Sequence, residues 1–119
     1  SYTTFRFSDI TLNRSSIGMD NELVASVTVT NTGDRAGSEV VQLYIRDLVG
    51  SVTRPVKELK GFEKIYLQPN ESRTVRFTIA PEMLKFYNAD LKFVAEPGDF
   101  DVMIGPDSRN VKTARFTLH

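Results

Sequence analysis

Apolar residues recur at every second position through most of this chain. The alternation runs through residues 23–30, 41–46, 74–79 and 100–104. Side chains two positions apart lie on one face of an extended strand, so this period predicts strands with one buried and one more polar face. Near the start, the alternation changes parity between residues 5–7 and 10–12. A bulge or bend at Ser8-Asp9 would reconcile the two segments.

Residues that favour turns separate these strands. They fall at positions 31–34, 68–71, 96–99 and 105–108, and each group contains Gly or Pro. Turns at this spacing favour a β-sandwich or a barrel. The helical signal is confined to one turn at Pro81-Glu82-Met83-Leu84. We therefore predict an all-β fold, a single antiparallel β-sandwich of about seven strands, over residues 1–119.

Composition excludes several classes of function. Lys and Arg total 15, as do Asp and Glu, so we expect neither nucleic acid nor a membrane as a partner. The absence of cysteine excludes a thiol nucleophile and disulfides. His119 is the one histidine, which excludes a Ser-His-Asp triad and a multi-histidine metal site. We expect no cofactor.

Carboxylates are the remaining candidates for catalysis, because glycosidases use a pair of them. Asp99 and Asp101 lie two apart and should share one face of a strand. Solvated or ion-paired acids have the same pattern, and we predict that role for them and no catalytic residue. A calcium site near the strand ends is the alternative for Glu96, Asp99, Asp101 and Asp107, although their spacing matches no known loop. We predict no metal.

Tyrosines are the candidates for sugar contact. The chain has no Trp, which is the usual sugar platform, but Tyr44, Tyr66 and Tyr87 fall where exposure is expected. A tyrosine on a half-exposed sheet also serves as a cross-strand packing partner. Both interpretations stay open.

Several strings resemble one known family. They lie at 1–5, 27–37, 39–44, 54–64, 84–87 and 96–100. The most specific is Arg54-Pro55-Val56-Lys57-Glu58-Leu59-Lys60-Gly61-Phe62-Glu63-Lys64, which resembles a Pro-x-Lys-x-Leu-x-Gly-Phe motif. In this order they resemble the C-terminal fibronectin type III-like domain of glycoside hydrolase family 3 enzymes. Bacterial periplasmic β-glucosidases are the nearest group, followed by β-xylosidases.

The resemblance implies a fibronectin type III-like sandwich that follows a (β/α)8 barrel domain and an α/β sandwich domain. Those two domains hold the catalytic aspartate and glutamate of the family, so no catalytic residue is carried over to this chain. The implied role is a non-catalytic accessory domain that packs against and stabilises the catalytic domains of the same parent chain. The alternative is a carbohydrate-binding module that contacts β-linked gluco-oligosaccharide. The implied location is periplasmic or secreted.

The connection after residue 47 is unusually apolar for a loop. Such residues either fold back onto the core or cover something outside the domain. We predict interdomain contacts there, at Leu48, Val49, Val52, Arg54, Pro55 and Lys57. Leu59 and Phe62, further along, are predicted to be core residues, and Gly61 indicates a bulge or a close backbone approach.

Overall fold

Two β-sheets face each other in this protein. The structure is a computed structural model that describes residues 3–48 and 57–119. In the described residues, one sheet contains β1 (Phe5–Phe7), β2 (Thr11–Leu12), β4 (Leu23–Asn31) and β7 (Ser72–Ile79). The other runs in the order β3 (Ser16–Ile17), β11 (Lys112–Leu118), β10 (Gly98–Gly105), β5 (Gly37–Asp47) and β6 (Lys57–Leu67). The predicted all-β sandwich is confirmed.

The connection between the sheets carries the smaller elements. A 3₁₀ turn at Pro81–Leu84 follows β7, as the sequence predicts. A two-stranded hairpin of β8 (Phe86–Tyr87) and β9 (Phe93–Val94) then leads into β10. No helix within residues 3–48 and 57–119 has the length and apolar character needed to cross a membrane.

β1 and β2 behave as one strand interrupted by a bulge. Both pair with β4, and residues 8–10 face only residues 27 and 28 between the two paired segments. The Ser8 amide donates to the Thr28 carbonyl at 2.9 Å, and the Thr28 amide donates to Ser8 Oγ at 2.8 Å. The extra residue changes the facing parity, which confirms the bulge predicted at Ser8-Asp9.

The core lies between the two sheets and follows the period of two. Leu23, Ala25, Val27 and Val29 of β4 are buried, while the residues between them are partly exposed. The other sheet contributes mainly Val41, Leu43, Ile45, Ile65, Leu67, Phe100, Val102, Ile104, Phe116 and Leu118. Burying one such large side chain stabilises the fold by roughly 1.5–3 kcal/mol.

β10 departs from the predicted pattern because both of its faces are covered. It lies between β11 and β5, so side chains of both neighbours flank its outer face. Asp101 is only 8% exposed, and Arg115 Nε lies 3.2 Å from its Oδ1. Asp99 Oδ1 accepts a hydrogen bond from Thr117 Oγ1 at 2.8 Å. Both acids therefore have partners on β11, and the pairing of Asp101 with Arg115 fits the ion-paired role that was one of the two predicted for these acids.

Asn31 is buried at the opposite end of the sandwich and ties three segments together. Its Oδ1 accepts hydrogen bonds from Thr3 Oγ1 at 2.9 Å and the Gly33 amide at 3.0 Å. Its Nδ2 donates to the carbonyls of Arg35 at 2.8 Å and Leu67 at 3.0 Å. A Cβ at Gly33 would lie 1.9 Å from Thr3 Oγ1, so this close approach requires glycine.

Candidate functional site

A bulge in β6 decides which of its residues face outward. Leu43 pairs with Gly61, but the next residue, Tyr44, pairs with Leu59, so Lys60 is an extra residue on β6. In a regular strand Leu59 and Phe62, three positions apart, would face opposite sides. With Lys60 looped out, both lie on the outer face of the sheet.

Leu59 and Phe62 are therefore surface residues, and their assignment to the core is wrong. Leu59 is 53% exposed and Phe62 is 69% exposed, while Tyr66, further along β6, is 56% exposed. The inward position is taken by Gly61, where a Cβ would contact the Phe77 ring of the other sheet at 3.7 Å. The predicted irregularity at Gly61 is present one residue earlier. We call Leu59, Phe62 and Tyr66 the β6 surface.

The edge of β6 is protected against pairing with another strand. β6 is the outermost strand of its sheet in the described part of the chain. Its bulge and its lysines, including Lys60 and the exposed Lys64, are features that block strand addition. Lys60 Nζ also lies 3.5 Å from Glu58 Oε2. The apolar face of β6, rather than its edge, is thus the part suited to contact.

β5 continues the outer face next to the β6 surface. Tyr44 pairs with Leu59 and is partly buried, and its hydroxyl donates to Gln42 Oε1. Gln42 in turn pairs with Phe62. Aromatic residues are enriched at the centres of protein interfaces, and large truncation effects concentrate on them. The composition of this face matches a protein-contact surface.

The predicted contact residues at the β5–β6 connection are only partly described. Val49, Val52, Arg54 and Pro55 lie outside the described residues. Leu48 is partly buried, and its amide donates to the Asp99 carbonyl at 3.0 Å. Lys57 Nζ donates to the Ser108 carbonyl, which ties the β10–β11 turn to the start of β6.

The three candidate tyrosines do not form one platform. Tyr44 and Tyr66 share the outer face, but Tyr66 pairs with Ser38, six residues from Tyr44 along β5. That spacing corresponds to roughly 20 Å. Tyr87 lies elsewhere, on the β8–β9 hairpin, where its ring is tilted by 44° to that of Phe93 at a centroid distance of 4.9 Å.

A shallow depression lies beside this hairpin. Its volume is about 530 Å³, and it is lined by Met19, Ala80, Pro81, Glu82, Lys85, Phe93, Val94 and Ala95. Lys85 Nζ lies 2.8 Å from Glu82 Oε2 and 6.0 Å from the centre of the Phe93 ring. Glu82 and Lys85 therefore already form an ion pair with each other within the domain.

Acidic side chains do not assemble into a metal centre in the described ranges. Among residues 3–48 and 57–119, no group of three or more His, Asp or Glu side chains is placed to hold an ion. Asp107 instead closes the β10–β11 turn by accepting hydrogen bonds from the amides of Arg109 and Asn110, both at 2.9 Å. Hydrogen bonds from the Asn110 side chain and these amides lower the pKa of Asp107.

The fold and these motifs define a class of protein. The model of the fibronectin type III-like domain family matches residues 39–108, and the chain belongs to this family. It is 53% identical, over 99% of its length, to a periplasmic β-glucosidase of Salmonella typhimurium, and it covers 15% of that protein. It is 51% identical to a putative β-xylosidase of Formosa agariphila, covering 99% of this chain and 16% of the relative.

A solved structure shows the same fold. A β-glucosidase of Erythrobacter marinus superimposes with a TM-score of 0.92 at 47% identity, over 99% of this chain and 16% of that one. The chain thus spans about a sixth of the length of these proteins. The resemblance to the fibronectin type III-like domain of glycoside hydrolase family 3 β-glucosidases is confirmed.

Proposed function

We propose that this chain is the accessory domain of a family 3 β-glucosidase, and that its β6 surface packs against the catalytic domains of the same protein and stabilises them. The observation that carries the proposal is the outward position of Leu59 and Phe62. Both belong to the most specific motif of the chain, and both are more than half exposed. Large apolar side chains grouped on one exposed face mark contact surfaces.

The length of the relatives supports an occupant from the same chain. This domain covers 15% of the Salmonella protein and 16% of the Erythrobacter structure, so most of either protein lies outside the matched segment. Interfaces between domains of one chain bury roughly 600–1,500 Å² and are partly polar. The β6 surface, with Lys64 between Phe62 and Tyr66 on the same face, suits an interface of that kind.

The proposed contact extends along the β5–β6 connection. Leu48, Val49, Val52, Arg54, Pro55 and Lys57 precede or begin β6, so contacts made there would be continuous with Leu59. Catalysis in the parent would then reside in the other domains. The activity toward β-glucosides and the periplasmic or secreted location follow those of the Salmonella relative.

The test compares one substitution in two contexts. Phe62→Ser should leave the melting temperature of the 119-residue chain nearly unchanged, because the ring contributes little to its core. In the parent protein, the same change should lower the melting temperature. It should also shorten the half-life of activity several-fold. Thr113→Ala, at an exposed position of β11 in the same sheet, is the matched control.

Two results would contradict the proposal. If Phe62→Ser destabilises the isolated chain as much as the parent, the ring belongs to the domain itself. If neither protein changes, the β6 surface is not a contact with the catalytic domains. Saturable NMR shifts at Tyr44 or Tyr66 on titration with gluco-oligosaccharide would assign this face to sugar binding instead.

A further inference from the structure

The tip of the β8–β9 hairpin carries a leucine in a backbone conformation that favours glycine or asparagine. Leu91 has φ of 59°, in the left-handed region, and its side chain is 81% exposed. Left-handed backbone crowds the Cβ of an L-residue, and it is uncommon for a bulky side chain. This position therefore combines a backbone penalty with an exposed apolar side chain.

Hydrogen bonds hold the tip in this conformation. Asn88 Oδ1 accepts from the amides of Asp90 at 2.9 Å and Lys92 at 3.0 Å. The Asn88 amide donates to the Lys92 carbonyl at 3.0 Å, and the Leu91 amide donates to the Asn88 carbonyl at 2.9 Å. A turn with this many bonds to one residue displays Leu91 in a defined direction.

The base of the hairpin is braced as well. The rings of Tyr87 and Phe93 contact each other across the two strands at 4.9 Å. Lys85 lies over the Phe93 ring and pairs with Glu82, which joins the hairpin to the 3₁₀ turn. Leu91 is thus carried on a supported element.

We propose that Leu91 is a docking knob that inserts into an apolar socket on the remaining part of the parent chain. A residue that breaks a local backbone rule without an offsetting contact in its own domain points to a functional contact. The inference rests on the proposed function for the existence of the parent, but it concerns a different surface. The hairpin lies in the connection between β7 and β10, whereas the β6 surface lies on a sheet face.

The size of the contact favours a covalently linked partner over a second copy. One leucine at a hairpin tip presents far less area than the roughly 1,200 Å² that a specific association of separate molecules buries. A small contact is sufficient when both surfaces belong to one chain, because the effective concentration is high. The Leu91 contact would also prevent the domain from rotating about the contact made by the β6 surface.

The decisive experiment is Leu91→Asn in two contexts. Asparagine adopts the left-handed conformation readily but supplies no apolar knob. In the 119-residue chain the melting temperature should stay the same or rise, because backbone strain is relieved. In the parent it should fall, and the half-life of activity at elevated temperature should drop several-fold. Asp90→Asn, at the same tip, is the control and should change neither protein.

A rise in the melting temperature of both proteins would overturn the inference, since relief of strain would then be the whole effect. Dissociation of a parent dimer by Leu91→Asn would also overturn it, because the socket would lie on a second copy. If Phe62→Ser weakens the parent and Leu91→Asn does not, the knob fails while the proposed function stands. The reverse result supports the knob and removes the β6 surface as the contact.

A second measurement covers the case in which the parent variant does not fold. The chain contains no cysteine, so Leu91→Cys accepts a single nitroxide label. The label should be mobile in the 119-residue chain and immobilised in a parent whose other cysteines have been replaced. Equal mobility in both proteins would overturn the inference.

Discussion

Leu59 and Phe62 are three residues apart in β6, yet both face the same side of the sheet because Lys60 has no partner residue on β5. The bulge removes one position from the alternation and brings the two side chains beside each other along the outer face. Two apolar residues that a regular strand would divide between core and solvent become one exposed surface.

Deleting Lys60 should preserve this facing, because Leu59 and Gly61 would then be adjacent opposite Tyr44 and Leu43. The edge strand would lose both its bulge and a lysine, which together hinder pairing with other chains. We expect the variant to fold with near-normal stability and to self-associate more, as measured by analytical ultracentrifugation over a range of concentrations. Lys60→Ala, which keeps the bulge, should self-associate less than the deletion variant and remain closer to the unsubstituted chain. Loss of folding in the deletion variant would show that the bulge is required by the sandwich itself.

Asn31→Ala should destabilise the domain strongly. The substitution leaves the Leu67 carbonyl and the Gly33 amide without the side-chain partners they have now. Each buried polar group left unpaired costs about 1–3 kcal/mol, so for these two groups we expect a loss of roughly 2–6 kcal/mol in the free energy of unfolding. Urea denaturation of the 119-residue chain measures it. Asn21→Ala is a suitable control, because Asn21 Oδ1 accepts one exposed hydrogen bond from the Gly18 amide. Equal losses for the two variants would contradict the role of Asn31.

Asp107 should titrate below its ordinary pKa of 3.8 in the folded chain, because the Asn110 side chain and two amides stabilise its carboxylate. The folded state then favours the deprotonated form more than the unfolded state does. Its contribution to stability is complete above pH 3.8 and is lost as the pH falls through the lowered folded pKa. Carboxyl ¹³C NMR titration measures the pKa directly. Asn110→Ala should move it back toward 3.8, and a pKa at or above that value in the unsubstituted chain would contradict the prediction.

Local patterns predicted most of the sandwich. The alternation at residues 23–30 became β4, and the change of parity near Ser8 marked a real bulge. Such features follow from the sequence because side-chain direction along a strand depends only on neighbouring residues. The turn residues at 68–71 and 105–108 likewise separate the strands as predicted. The family resemblance was carried by the motif around β6.

The prediction for the β6 surface is wrong where the facing of its residues depends on how β6 pairs with β5. Leu59 and Phe62 are apolar, and an apolar residue in a strand is usually buried, but their opposite parity was a signal that a regular strand could not bury both. Asp101 shows the converse, because an acidic residue on a central strand is covered by its neighbours whatever its own polarity. Leu91 had no signal in the sequence, since its φ follows from the turn that Asn88 closes.

The sequence by itself determined the all-β class, the positions of β4, β5, β7 and β10 and the family, because period, turn chemistry and motif order are properties of adjacent residues. Only the tertiary structure decided which apolar residues remain outside. The direction of Leu59 and Phe62 depends on a register shift against β5, and the display of Leu91 depends on a hairpin tip locked by Asn88. Both arise from contacts between residues that the alternation does not relate, and both leave apolar side chains exposed at the surfaces where we propose that the rest of the parent protein binds.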